Sequence, residues 1–162
     1  MHTIHVGIAE LHFAGKDELL KTTLGSCVSV VLYTSPDREK EPIASMSHFL
    51  LPEPTRQEEV LRKPLRFGSI LIPHQIKKMR EAVGNAKIFA KITGGASMLN
   101  NSSLKIADIG RLNFEMAIRI IKKHGIEIKG MHTGGTVGRS ALFIPKSGIL
   151  RVTVFGEKTI DL

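Results

Sequence analysis

A chain of 162 residues, 42% hydrophobic and 23% charged, is long enough to form one domain around its own core. A single cysteine excludes an internal disulfide, and no run approaches the roughly 20 apolar residues of a membrane-spanning helix. The net charge of +8 suggests an acidic partner, but the basic residues are dispersed and only one tyrosine is present. Base-stacking nucleic-acid binders usually set aromatics among their basic residues, so nucleic acid is not the expected partner.

Met1–His5 lacks the basic start and long apolar run of a secretory signal, so a soluble, cytoplasmic protein is expected, with no membrane insertion. Ile4–Ile8 alternates and reads as a short strand, and Phe13–Asp17 as a turn. Thr22–Tyr33 is β-branched and apolar, a strand entered through a Gly-Ser turn, and Ile43–Leu51 is a second strand, stopped by Pro52. Ser35–Arg38 carries turn residues between them. Pro52–Lys63, proline-bearing and charged, reads as an exposed linker. Ile70, Ile76, Met79 and Val83 lie near helical spacing up to Gly84, with Pro73 marking a first turn or a kink. Lys87–Ile92 is a strand. Ile109–His124 is the clearest helix, with Leu112, Met116, Ile120 and Ile121 as its stripe and Gly125 after it. Ile126–Ile128 is a short strand. Phe143–Ile144 and Leu150–Phe155 form a hairpin across Pro145–Gly148. The count is about seven strands and two long helices: a single mixed α/β (α+β) domain over residues 1–162, its first strands antiparallel neighbours.

The chemistry rests on Cys27. If Thr22–Tyr33 and Ile43–Leu51 pair as a hairpin about Asp37 and Arg38, Cys27 falls directly opposite His48. Such partners share a face, with Cβ atoms about 4.5–5.5 Å apart. A one-residue slip would turn one side chain away. A thiol of pKa about 8.5 becomes a nucleophile when a neighbouring imidazole takes its proton, and the imidazolium can then protonate a leaving amine. Backbone N–H groups around Gly25, Ser26 and Cys27 are candidates to hold an oxyanion, and the hydroxyls of Thr22 and Thr23 to orient the base. Taken alone, a lone cysteine is more often a small buried hydrophobe, and a strand histidine a core residue. The other histidines show no metal-ligand spacing, so no metal is expected, and no cofactor. Gly94-Gly95 and Gly134-Gly135 fit tight turns better than phosphate cradles.

The motifs as a set resemble the CheD family of chemoreceptor glutamine deamidases, nearly end to end. They are Thr22-Thr-Leu-Gly-Ser-Cys-Val-Ser-Val30, Met46-Ser-His48 before Leu51-Pro52, Ala90-Lys-Ile-Thr-Gly-Gly-Ala-Ser-Met98, Ile109-Gly-Arg-Leu-Asn113 and Thr133-Gly-Gly-x-x-Gly-Arg139. The resemblance implies a sandwich of packed, largely antiparallel β-sheets flanked by helices, like other cysteine deamidases and toxin catalytic domains. It implies conversion of receptor Gln side chains to Glu through a thioester, with Cys27 the nucleophile, His48 the base and an orienting threonine, for which Thr22 comes first and Thr23 second. The implied partners are the cytoplasmic helices of methyl-accepting chemotaxis receptors and a CheC-type phosphatase. Alternatives are an adaptor that binds and stimulates such a phosphatase, or another Cys/His hydrolase.

Overall fold

The apolar stretch from Thr22 to Tyr33 is not one strand. In the structure, a computed structural model that describes residues 1–37, 40–97 and 108–162, it breaks at Gly25–Cys27, and its halves enter different sheets. The first sheet contains β1 (His2–His5), β3 (Glu18–Leu24), β8 (Arg139–Ile144), β9 (Ile149–Val154) and β10 (Thr159–Asp161), in the order β1-β3-β8-β9-β10. The second contains β2 (Glu10–Ala14), β4 (Val28–Thr34), β5 (Ala44–Phe49), β6 (Ile88–Gly94) and β7 (Glu127–Thr133), in the order β2-β5-β4-β6-β7. Neighbours are antiparallel except β1 with β3 and β6 with β7. The expected antiparallel pairing of the first strands therefore holds for β4 with β5 but not for β1. The strand count rises from seven to ten because β2 forms and takes in Phe13 and Ala14 instead of turning there, Thr22–Tyr33 divides between β3 and β4, and β10 adds an edge; β7 also runs on to Thr133. Arg38 and Met98 lie outside the described residues.

Strand alternation sorts the side chains into two cores. Between the sheets, Val31, Tyr33, Ala44 and Met46 meet Leu20, Ala141, Phe143, Leu150 and Val152. On the outer face of the second sheet, Val28, Val30, Leu32, Phe49, Ala90 and Ile92 pack under α2 (Gly68–Val83) and α3 (Ile109–Lys123). The architecture is helices on sheet on sheet, in agreement with the expected sandwich. No helix among the described residues is long and apolar enough to cross a membrane.

The helices depart from expectation where apolar periodicity misleads. In α3 the buried face is Gly110, Asn113, Met116, Ala117 and Ile121, while Leu112 is 38% exposed. A polar residue, Asn113, takes the place on the stripe that leucine was expected to hold. In α2 Pro73 lies inside the helix, where it forfeits the bond to the Ser69 carbonyl, and Gly84 ends it with φ of 59°. Pro52–Lys63 contains a short helix, α1 (Gln57–Arg62), started by Glu59, whose carboxylate accepts from the Thr55 and Arg56 N–H groups at 3.0 and 3.1 Å. It buries no residue, so the segment is exposed as expected.

Gln75 fixes α2 on the sheet. It is fully buried; its amide donates to the Val30 carbonyl at 3.0 Å and to Ser45 Oγ at 3.1 Å, and its oxygen accepts from Ser47 Oγ at 2.7 Å. Gln75→Ala strands these groups, each at about 1–3 kcal/mol. Urea unfolding should show the variant destabilised by at least about 2 kcal/mol with an unchanged denaturant slope.

Candidate active site

Cys27 and His48 are not directly opposite one another. The β4–β5 register pairs Ser29 with His48 and Val28 with Phe49, two residues away from the expected alignment. A shift of two preserves the face. By alternation His48, Ser29 and the position of Cys27, just ahead of β4, all fall on the side that meets the first sheet. Both groups are nearly enclosed, Cys27 at 8% and His48 at 4% exposure.

The two threonines separate cleanly. In β3, Leu20, Thr22 and Leu24 point into the sandwich, while Lys21 and Thr23 face solvent. Thr22 Oγ1 lies 2.7 Å from the Val6 carbonyl and 2.9 Å from His48 Nδ1; Nδ1 also lies 3.2 Å from the Val6 carbonyl. The hydroxyl has one proton, and the carbonyl can only accept. If that proton goes to Val6, Thr22 accepts from Nδ1–H, and this tautomer also satisfies the Nδ1–Val6 approach. Nε2 is then the bare lone pair. It is buried and has no hydrogen-bond partner among the described residues, the Cys27 sulfur included. Thr23, the second candidate, is exposed on the opposite face and is not brought to His48.

The loop bearing Cys27 is held by its carbonyls. Gly25 O accepts from Ala96 N at 2.9 Å, Ser26 O from Asn113 Nδ2 at 3.0 Å, and Cys27 O from Gly95 N at 2.8 Å. In a trans peptide the N–H points opposite to the C=O, so fixing the Gly25 and Ser26 carbonyls sends the Ser26 and Cys27 N–H groups the other way. Gly94 explains why this approach needs glycine. It has φ of +112°, and a Cβ there would lie 2.3 Å from Cys27 O. Gly94-Gly95 is thus a close contact with the cysteine loop, and Gly134 N donates to Gly94 O at 3.0 Å from behind it.

Asn113 and Arg139 end two of the motifs quoted from the sequence, but neither was given a role there. Asn113 also donates to Leu50 O at 3.0 Å, so one amide joins the cysteine loop to the end of the histidine strand. Arg139, 1% exposed, donates from Nη1 to the His132 carbonyl and to His132 Nδ1, each at 2.7 Å, and from Nη2 to Gly134 O. It braces the Gly134-Gly135 turn. The available signal was a polar residue within an apolar stripe for Asn113, and a charge at the head of an alternating strand for Arg139. Register continues the polar row across the whole second sheet, as Glu10, His48, Ser29, Thr93 and His132.

Burial sets the protonation states. It pushes the Cys27 thiol above its ordinary range, opposed by the residue's own N–H directed at the sulfur. Burial likewise holds His48 below the usual histidine range, opposed by the Val6 carbonyl and the Glu10 charge. The resting pair is a neutral thiol and a neutral imidazole. Among the described residues no group of three or more His, Cys, Asp or Glu could hold a metal ion. A cleft of about 510 Å³ lined by Thr34, Pro36, Val83 and Phe89 lies at the far end of β4 from Cys27.

These shifts make stability depend on pH. The unfolded chain protonates His48 near its ordinary pKa of about 6.5, before the folded chain does, so stability falls as pH drops below about 6.5. The unfolded chain ionises Cys27 near about 8.5, before the folded chain does, so stability also falls above about 8.5. Urea titrations from pH 5 to 9.5 should show both limbs. His48→Gln should flatten the acid limb and Cys27→Ser the alkaline one.

Comparison with known proteins places the chain. Residues 50–154 match the family model described as CheD chemotactic sensory transduction. Curated relatives extend the match over the segment that carries Cys27 and His48. The chain is 33% identical over 156 residues to the probable chemoreceptor glutamine deamidase CheD of Clostridium novyi (strain NT), covering 94% of this chain and 93% of that protein. Identity is 34% over 163 residues to the protein of the same name from Clostridium botulinum (strain Eklund 17B / Type B), covering 98% and 97%. It is 35% over 164 residues to that of Clostridium tetani (strain Massachusetts / E88), covering 96% of each. With a family model matched over most of its length and relatives of this identity aligned nearly end to end, the chain belongs to the CheD family.

Proposed function

We propose that the protein is a chemoreceptor glutamine deamidase in which Cys27 is the nucleophile, His48 the base and Thr22 the residue that orients it. The observation that carries this reading is the Thr22–His48 hydrogen bond, which leaves Nε2 unprotonated and unpartnered on the cysteine's face of the sheet. A purely structural histidine at 4% exposure would be expected to satisfy both ring nitrogens. The relatives' name supplies the substrate.

The steps follow from the neutral pair. As Cys27 Sγ attacks the side-chain amide carbon of a receptor glutamine, its proton passes to Nε2. The Thr22 oxygen and the Val6 carbonyl, both facing Nδ1–H, stabilise the imidazolium. The tetrahedral oxyanion falls to the Ser26 and Cys27 N–H groups that the pinned carbonyls turn outward. Nε2–H protonates the departing amine, the C–N bond breaks, and ammonia leaves a thioester. Water, losing a proton to Nε2, then attacks the carbonyl carbon; the C–S bond breaks, glutamate is released and the sulfur regains its proton. Water is the only co-reactant this scheme needs.

A chemoreceptor cytoplasmic fragment incubated with the protein should gain about 1 Da per modified glutamine, with no cleavage fragments, as the acyl-intermediate route requires. Cys27→Ala should show no gain, and His48→Ala should lose at least about 10²-fold in rate. Thr22→Val, which leaves Nδ1–H only the longer contact to the Val6 carbonyl at 3.2 Å, should lose about tenfold, some 1.4 kcal/mol in the barrier. Deamidation undiminished in Cys27→Ala would refute the reading, as would cleaved receptor.

A further inference from the structure

Below Val28 and Phe49 the β4–β5 ladder stops. On one side the chain leaves toward Gly95 and Ala96, which take the Cys27 and Gly25 carbonyls. On the other, Leu50 and Leu51 both donate to the Arg66 carbonyl, at 2.9 and 3.1 Å. The two strands therefore diverge at the point where one carries Cys27 and the other has just placed His48. Asn113, on the buried face of α3, closes this fork. Its side chain is fully buried, and its amide donates to Ser26 O and Leu50 O, each at 3.0 Å. An amide nitrogen has two protons, and both are used here on carbonyls from the two diverging arms.

We infer that Asn113 is the positioning residue that sets the Cys27–His48 separation, acting as a two-proton bridge between the nucleophile loop and the end of the histidine strand. This rests on the roles proposed above for Cys27 and His48. The geometry selects asparagine for a physical reason. A carboxylate of the same shape would face two carbonyl oxygens with no proton to offer, a hydroxyl has one proton for two acceptors, and glutamine is one methylene too long for a fully buried site. Among the described residues no other side chain hydrogen-bonds to both arms of the fork. Gly110, one turn earlier on the same helix, shows how closely α3 must approach: a Cβ there would lie 2.4 Å from the Ala96 carbonyl. The helix thus contacts the cysteine loop through Asn113 on Ser26, and through Gly110 the Gly95–Ala96 segment that holds that loop.

A bridge of this kind acts on the distance between two groups and on neither group alone. Loss of alignment on the ångström scale can cost about 10²-fold in rate. Asn113→Asp and the milder Asn113→Ser should therefore lower kcat for receptor deamidation by about 100-fold and about 10-fold, with KM within about threefold of the wild type.

The decisive measurement does not need the receptor. Alkylation of Cys27 by iodoacetamide across pH 6–10 reads thiol ionisation, and comparison with His48→Gln reads how strongly the imidazole influences it. In the wild-type background His48→Gln should change the rate near pH 7.5 by at least about tenfold; in the Asn113→Ser background the same change should shrink below about twofold, a double-mutant cycle with positive coupling. Both backgrounds are compared only as folded proteins, checked by thermal unfolding, and Asn113→Ser serves if Asn113→Asp does not fold. If the effect of His48→Gln is the same in both backgrounds, Asn113 does not set the pair and the inference is overturned. It is likewise overturned if Asn113→Ser retains wild-type kcat, or if KM rises in step with the loss of kcat. A wild-type protein that shows the alkylation coupling but never deamidates receptor would sink the functional reading while leaving the bridge intact.

Discussion

The structure depends on one crossing. Between Leu24 and Val28 the chain passes from one sheet to the other, and all three carbonyls of the passage are captured, by Ala96, Asn113 and Gly95. A crossing of three residues has little room to satisfy its polar groups internally, so the groups that capture them must be brought from the segment just after β6 and from α3. That requirement explains the glycines at Gly94 and Gly110, whose missing side chains let the backbones meet. It also explains why the cysteine stands at the end of a strand and not within one.

The same crossing divides the chemistry between the two sheets. Thr22 belongs to the first, His48 to the second, and the Val6 carbonyl comes from the loop that joins them near the start of the chain. The oxygen atoms that fix the ring and the ring itself are therefore held by different layers. The apolar packing of Leu20, Met46 and Phe143 between the layers keeps them in hydrogen-bonding range. Burial favours the neutral form of both groups, and the ring is left with Nε2 unpartnered among the described residues.

Much of this was legible in the sequence, and the parts that were not have identifiable causes. The reading of Ile43–Leu51 as a strand holds in β5, which carries His48. The hairpin argument reached the right face for Cys27 although its register was two residues out, because an even error leaves side-chain parity unchanged. The choice between Thr22 and Thr23 could not be made from the residues themselves. It depends on which sheet Glu18–Leu24 joins, and the continuous apolar run hid the break at Gly25–Cys27. In α3 the hydrophobic template favoured Leu112 over Asn113, since it has no way to register an amide whose partners lie 87 and 63 residues away. The glycine pairs were recognised as turns, but what they approach is a tertiary fact.

The division of the site between the layers has a consequence for how the protein folds. β3 carries Thr22 and is hydrogen-bonded on one side to β1 and on the other to β8, more than a hundred residues further along. Pairings of that sequence separation are among the slowest to form, because the entropy of closing the loop is lost before the contact forms. The second sheet has most of its local antiparallel pairing in β4 and β5 and can gather early, bringing His48 beside the cysteine strand. Its imidazole acquires a fixed tautomer only once the first sheet has closed over it. A chain with only the second sheet formed would hold Cys27 and His48 without Thr22, so the roles proposed for the three residues can be met together only in the closed sandwich.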